Sequence, residues 1–386
     1  MRVLIVHNYY KIRGGEDSVV ESEIALLKKN NHDVLTYFRN NSDLFRYSPL
    51  KLALTTLWSI KSFKKISELI RENKPEIIHV HNTLPLVSPS IYWAANKYRI
   101  PIVQTVHNYR LSCLNALFLR DGKLCEECIG KFPYAGILNS CYRASRKASA
   151  VLAFMLLLHR TIGTYKNKIS HYIALSEFSK NKLVLSGVSN KKITIKPNYI
   201  DHVLEKSTKR SDELLYVGRL SNEKGISLLL DALSKLNGYK VTVIGEGPEL
   251  PLVQNNINIK YIGKLTNESV LKRMSSALAL LIPSICYENF PRIIVEAYSC
   301  GLPVIASSIG SIKNLVDDGE TGLLFDPISS TDMAKKIDWA VSNQEEMKKM
   351  GSKARKKYEN EYTAEKNYKQ LIDIYSRTIS SQKTDY

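Results

Sequence analysis

"ENFPRIIVEAYSCGLPVIAS", residues 288–307, holds two glutamates, Glu288 and Glu296, eight positions apart. Glu288 lies in a stretch with turn character that ends at Pro291. Glu296 lies in a run with helical spacing. Gly301-Leu302-Pro303 breaks that run, and "PVIAS" (303–307) is a short apolar strand. The apolar "ALALLIPS" (277–284) precedes it, so the order is strand, loop, helix, strand. Short apolar strands separated by helices argue for a parallel sheet covered on both faces.

The same alternation runs outward in both directions. Toward the C-terminus come "GLLFDP" (322–327) and a last helix over 363–379. Upstream are "ELLYVGRL" (213–220), a helix from Gly225, "KVTVIGEGP" (240–248) and "IKYIG" (259–263). The polar, non-periodic "DHVLEKSTKRSD" (201–212) reads as a linker. Before it, "RVLIVHN" (2–8), "DVLTYF" (33–38), "PEIIHVHN" (75–82), "IPIVQTVHN" (100–108), "HYIALS" (171–176) and "KITIKPN" (192–198) read as strands. Helices are predicted over 16–32, 51–73 and 145–166. The expectation is an α/β protein of two doubly wound domains, residues 1–200 and 201–362, with the helix of 363–386 packing back on the first. The length of 386 residues suits two cores better than one. Ligands of such sheets bind at the carboxyl ends of the strands, and a cleft between the domains is the expected site.

Charge divides the chain. Residues 1–200 carry 30 Lys+Arg against 13 Asp+Glu; residues 201–386 carry 25 against 24. The excess of +17 in the first half suits an anionic partner: lipid headgroups, a phosphate-bearing substrate or nucleic acid. No nucleic-acid fold signature is present, so an anionic membrane or a pyrophosphate-linked acceptor is the expectation. No signal peptide and no apolar run long enough for a membrane span is read. Six cysteines in such a chain point to a reducing, cytoplasmic compartment.

Two loops carry the chemistry. In "NYYKIRGGEDSVV" (8–20), Gly14 and Gly15 allow close backbone approach to a ligand ahead of a helix N-terminus, or form a plain tight turn. The pattern is not the dinucleotide GxGxxG. In "YVGRLSNEKG" (216–225), Arg219 and Lys224 follow a strand. An Arg fork and a Lys point charge suit a pyrophosphate; the alternative is a solvated basic loop.

Together "RGGE", "YVGRLSNEKG", "VIGEGP" and the E-x7-E element of Glu288 and Glu296 resemble the GT-B glycosyltransferases of family 4, in order and over nearly the whole chain. The resemblance implies that Arg219 and Lys224 hold the donor diphosphate and stabilise the leaving nucleoside diphosphate. Glu288 would contact the transferred sugar, with the Asn289–Phe290–Pro291 backbone against sugar and phosphate. Glu296 would accept from the ribose diol. Gly14 and Gly15 would close over the donor. Gly245 and Ile262 would flank base and phosphates. His107 occupies the position of a histidine near the transferred sugar, although Asn108 follows it where an acidic residue is common. Alone, a strand-end histidine is as well read as structural; His79 and His81 are rivals. The resemblance implies retention of configuration without a protein nucleophile. No Asp-x-Asp occurs, so no catalytic metal is expected.

Cys113, Cys125, Cys128 and Cys141 lie within 29 residues and offer a four-thiolate structural zinc site, or free, redox-labile thiols. The helix of 51–71, with Trp58 and Phe63 opposite its lysines, and the segment 144–168 are candidates for membrane contact or for ordinary packing. The expected function is a retaining glycosyltransferase, cytoplasmic and peripheral on the inner membrane face. Its donor would be a nucleoside-diphosphate sugar and its acceptor a lipid-linked saccharide, in surface-polysaccharide assembly. The alternatives are a nucleotide-sugar epimerase of the same fold, a non-catalytic nucleotide-sugar-binding protein and a membrane-contacting anion-binding scaffold.

Overall fold

A computed structural model describes residues 1–201 and 210–384. Most of the expected linker, 202–209, lies outside the described residues, as do 385–386. The chain forms two compact units. One comprises Met1–Leu117, Glu126–Pro197 and Glu365–Tyr386; the other comprises Phe118–Cys125 and Asn198–Ala364.

In chain order the first part of the molecule contains β1 (Arg2–Tyr9), α1 (Gly15–Lys29), β2 (Asp33–Asn40), α2 (Pro49–Leu57), α3 (Ile60–Asn73), β3 (Ile77–Val80), α4 (Ser90–Lys97) and β4 (Ile102–Thr105). A short hairpin, β5 (Leu119–Arg120) and β6 (Lys123–Leu124), leads to α5 (Tyr134–Leu138), α6 (Arg146–Thr161) and α7 (Thr164–Asn167). Then follow β7 (His171–Ala174), α8 (Glu177–Leu185) and β8 (Ile193–Ile195). The sheet of the first unit is parallel, in the order β2-β1-β3-β4-β7-β8. Residues Val3–Val6 of β1 are fully buried because both faces are covered. Leu4 and Val6 face a core with Ile66, Ile70 and Ile91. Val3 and Ile5 face a second with Leu371, Ile374 and Tyr375 of the C-terminal helix.

The second part contains β9 (Leu214–Val217), α9 (Ile226–Leu233), β10 (Val241–Ile244), α10 (Leu250–Gln254), β11 (Ile259–Tyr261), α11 (Asn267–Ser276) and β12 (Ala279–Ile282). It continues with α12 (Arg292–Ser299), β13 (Val304–Ser307), α13 (Ile312–Leu315), β14 (Gly322–Phe325), α14 (Ser330–Ser342), α15 (Gln344–Glu361) and α16 (Ala364–Thr384). The second sheet is also parallel, in the order β11-β10-β9-β12-β13-β14. The quoted stretch therefore spans the β12 loop, α12 and β13. Each sheet reverses its strand order once, between β1 and β3 and between β9 and β12. Such reversals leave a crevice at the carboxyl ends of the strands.

Two helices differ from their sequence reading. The helix expected over 51–73 is two, α2 and α3, because Trp58 is extended (φ −153°, ψ 108°) and the Ser59 hydroxyl caps α3 by accepting from the Ser62 N–H. Trp58 turns inward, its ring stacked 6.1 Å from His159 and 6.1 Å from Phe63. Of the two readings open for this pair, membrane contact or ordinary packing, the ring contacts match packing on its own domain. The helix of 145–166 breaks at Gly163, which is left-handed (φ 71°).

Candidate active site

The reversal of the second sheet brings together the loops after β9 and β12. Gly225 ends the first loop at φ +72°, and a Cβ there would stand 1.8 Å from the Pro283 carbonyl oxygen of the second. Only glycine permits that approach. It sets Lys224 beside the turn that carries Glu288. The Lys224 ammonium donates to Glu288 Oε1 at 2.5 Å, and the Ser284 hydroxyl donates to the same oxygen at 2.7 Å. Burial opposes the Glu288 charge, but Lys224 and Ser284 more than offset it and hold the carboxyl below its ordinary range. Burial likewise opposes the Lys224 charge, and Glu288 raises its pKa above the usual lysine value. The pair is ionised on both sides.

Arg219, in the same loop, is exposed. Its backbone carbonyl accepts from the Tyr216 hydroxyl at 2.9 Å, which ties the loop to β9. The neighbouring strand ends stack regularly: Gly218 N–H donates to the Ile244 carbonyl (3.0 Å), Gly245 N–H to the Gly263 carbonyl (3.0 Å) and Ile262 N–H to the Val243 carbonyl (3.2 Å). Gly14 and Gly15 belong to the other unit. Asn289, Phe290 and Pro291 are buried just before α12, with the Phe290 ring 6.2 Å from Tyr362. Glu296 is half-buried on α12; burial raises its pKa, and Arg292 one turn earlier offsets part of that rise.

In the first unit the strand ends β1, β3 and β4 gather a second polar cluster. His107, just past β4, accepts or donates through Nε2 to His81 Nδ1 at 2.9 Å. His81 Nε2 stands 3.4 Å from Glu23 Oε1 of α1, and the other Glu23 oxygen accepts from Lys196 at 3.2 Å. His79 Nδ1 is 2.8 Å from Glu23 and 2.7 Å from the Tyr375 hydroxyl; its Nε2 is 2.7 Å from the Thr105 hydroxyl. His79 and His81, rivals of His107 in the sequence, are thus its neighbours. Glu23, His79 and His81 are close enough to share a cation, their ligand atoms lying within 4.8 Å of one another. Lys196 and the two hydrogen-bonded nitrogens of His79 already occupy that cluster, so it reads as a buried network.

His107 is half-buried and lines a pocket of about 60 Å³ with Asn108, Arg110 and Gln104. Asn108, the departure from the family pattern, donates at 3.4 Å to Tyr10 and to Glu16. Glu16 follows Gly14-Gly15 directly, so α1 brings a carboxyl to the Asn108 side chain. Burial raises the Glu16 pKa. A Cβ on Gly14 would meet no atom within 4 Å, so neighbouring protein does not crowd this turn. Sequence reasoning missed Glu16, Glu23 and Ser284. The pairing of His79 and His81 on alternate positions of one strand was the available signal for the buried cluster.

The structure does not gather the four cysteines read as a possible zinc site. Among the described residues no three of the sulfurs of Cys113, Cys125, Cys128 and Cys141 lie within 4.8 Å of one another, and none of the six cysteines is in a disulfide. The Cys113 thiol is instead 3.0 Å from the Asn115 side-chain oxygen. Cys125 and Cys128 flank a turn after the β5–β6 hairpin, so the single C-x2-C gains no second pair. The segment is held by packing such as the Phe118 ring 5.9 Å from Tyr287.

Two family models match in tandem: Glycosyltransferase Family 4 over residues 13–204 and Glycosyl transferases group 1 over residues 201–357. An uncharacterized glycosyltransferase of Methanocaldococcus jannaschii is 26% identical over 391 residues, covering 97% of this chain and 98% of the relative. The structure of Anabaena HepE with UDP superposes with a TM-score of 0.70 at 17% identity, over 98% of this chain and all of that one. The lipopolysaccharide outer core galactosyltransferase WaaB gives a TM-score of 0.69 at 18% identity, over 99% and 100%. Matched from residue 13 to 357 and folded as two parallel α/β units, the chain belongs to the GT-B glycosyltransferases of group 1, family 4.

Proposed function

We propose that the protein is a retaining glycosyltransferase that moves a hexose from a nucleoside diphosphate to a hydroxyl of a lipid-linked saccharide, at the inner face of a membrane. The observation that carries the donor half is the Lys224–Glu288–Ser284 cluster beside an unshielded Arg219 at the strand reversal of the second unit. Arg219 and Lys224 supply two fixed cations for a diphosphate. As charge develops on the leaving group, Lys224 can shift from Glu288 toward phosphate, which frees a carboxylate oxygen for a sugar hydroxyl. Glu296 on α12 accepts from the ribose diol, with Gly245, Ile262 and the Asn289–Pro291 backbone around base and phosphate. In the first unit, Gly14 and Gly15 leave room for the donor, and His107 meets the transferred sugar. The UDP bound by the HepE structure supports a nucleotide donor.

The acceptor half rests on a different observation. An apolar groove of about 320 Å³ runs between α2 and α6, lined by Leu52, Ala53, Val151 and Leu152, with Arg143 and Lys147 also bordering it. Leu84 borders both this groove and the pocket of His107. Around it Leu50, Leu54, Ile60 and Phe154 are exposed. Apolar groove, cationic border and adjacent polar pocket match an amphiphile with an anionic head. A lipopolysaccharide enzyme among the structural neighbours fits that reading. Among the described residues no helix is long and apolar enough to cross a membrane, so the attachment would be peripheral.

The test is transfer from radiolabelled UDP-, GDP- and dTDP-hexoses to extracted lipid-linked saccharide. Arg219→Ala and Glu288→Ala should each abolish label in the lipid fraction. Full turnover by either variant would remove the assigned donor site.

A further inference from the structure

The buried cluster behind His107 is more than its sugar contact requires. The imidazole of His107 hydrogen-bonds another imidazole, which faces a carboxylate that is itself anchored by a lysine. Every member other than His107 is buried: Glu23, His79 and His81 lie at 1%, 0% and 4% exposure. Buried charge without function is costly, and a network of this kind persists where it fixes an orientation.

The proton positions follow from the partners. Glu23 is a carboxylate: burial opposes its charge, but His79 and Lys196 hold its pKa well below the ordinary value. A carboxylate only accepts, so the His81 nitrogen that faces it, Nε2, carries the hydrogen. At 3.4 Å the two groups are in electrostatic contact, and neither His81 Nε2 nor Glu23 Oε1 makes a well-aligned hydrogen bond to any group. Burial and the adjacent His79 push the His81 imidazole down to about 3, so it is neutral and its Nδ1 is bare. The bond between His81 Nδ1 and His107 Nε2 then has one possible donor, His107 Nε2–H. Burial and the nearby His81 and His7 also lower the His107 pKa, so its second nitrogen, Nδ1, is a bare acceptor.

We propose that Glu23 and His81 are positioning residues that lock His107 in the Nε2–H tautomer, so that Nδ1 accepts a hydrogen bond from a substrate hydroxyl in the pocket. The relay joins α1, the end of β3 and the end of β4, three elements anchored by one sheet. His79 and His7 stand beside it, His79 with ring centroid 4.2 Å from His81 and His7 with its own partner, Asp17, at 2.8 Å. Lys196 neutralises Glu23 from the far side, so the carboxylate orients His81 without ionising it. The relay rests on the reading of His107 as a sugar contact; the tautomer itself does not.

Two measurements separate those claims. In protein labelled with 15N-histidine, the eight histidines are few enough to resolve, and His107 is assigned by its loss in His107→Gln. The expected result at neutral pH is an Nε2–H, Nδ1-bare pattern for both His81 and His107. An Nδ1–H on His107 overturns the relay, and the tautomer is read in the native protein, with His107→Gln used only to assign the signal. The second measurement is release of nucleoside diphosphate from UDP-, GDP- and dTDP-hexoses. His81→Asn and Glu23→Gln should lower kcat by roughly tenfold to a hundredfold with little change in KM, as expected for a partner that orients a working histidine. In a His107→Ala background His81→Asn should add no further loss. An equal loss with and without His107 marks a general structural defect and overturns the relay. Full turnover by His107→Ala alone would instead remove the proposed sugar contact and leave the tautomer result standing.

Discussion

The proposed donor site depends on a pairing between residues 64 positions apart. Lys224 and Glu288 are each 14–31% exposed, so their ion pair is partly screened. Lys224→Met should therefore lower unfolding stability by about 1–3 kcal/mol, the cost of leaving a buried acceptor without its partner. In a denaturant titration the loss should largely disappear in the Lys224→Met/Glu288→Gln double variant, which leaves no unpaired charge. Because the folded pKa of Glu288 is depressed, its contribution is full above the ordinary carboxylate pKa and is lost as pH falls through the lowered value. Glu296 behaves oppositely. Its raised pKa favours the fold below the ordinary value, and that contribution fades as pH rises through the shifted one. A ribose diol needs the charged form, so donor affinity should weaken on acidification at a pH above the ordinary carboxylate pKa. Titration of nucleotide binding against pH should show that step in the native protein and not in Glu296→Gln. The E-x7-E spacing and the basic loop were legible because each is local. The Lys224–Glu288 bond and the His81–His107 relay were not, because only sheet closure brings their loops together.

At the scale of elements, strands and crossovers were read correctly because buried parallel strands are continuous apolar runs. Helix breaks were missed where a capping serine or a left-handed glycine sat inside a periodic pattern, at Ser59 and at Gly163. The α2–α3 break matters, since it turns Trp58 inward and leaves Leu50, Leu54 and Ile60 at the surface. The loop approach at Gly225 is equally specific. Gly225→Ala places a methyl group against the Pro283 carbonyl at a left-handed φ, and should lower stability by more than about 1 kcal/mol while reducing turnover. Gly14→Ala has neither constraint: nothing stands within 4 Å of its Cβ and its φ is −118°. It should leave the melting temperature unchanged, so any drop in donor affinity reads as lost space for the ligand. In α16, Leu371→Ala removes a fully buried side chain and should cost about 2–5 kcal/mol in chemical denaturation.

For the whole molecule, the excess of +17 in residues 1–200 was visible from composition, but which apolar surface it accompanies was not. The exposed leucines of α2 and Phe154 of α6 supply that surface. The native protein should sediment with phosphatidylglycerol vesicles at low ionic strength and be released by high salt, since such attraction is screened within about 3 Å at 1 M. Leu54→Asp with Phe154→Asp should weaken sedimentation at low salt. Unchanged binding would place the contact elsewhere. The central claim is that the second unit binds a nucleoside-diphosphate sugar through Arg219, Lys224, Glu288 and Glu296. Thermal unfolding in the presence of UDP-, GDP- and dTDP-hexoses tests it most directly, because a ligand held only by the folded state stabilises it, by about 2.7 kcal/mol at a hundredfold excess over Kd. The account predicts that at least one of these donors raises the melting temperature of the native protein and that Arg219→Ala and Glu296→Gln each diminish the rise. No shift with any donor, or an equal shift in the native protein and both variants, would contradict it.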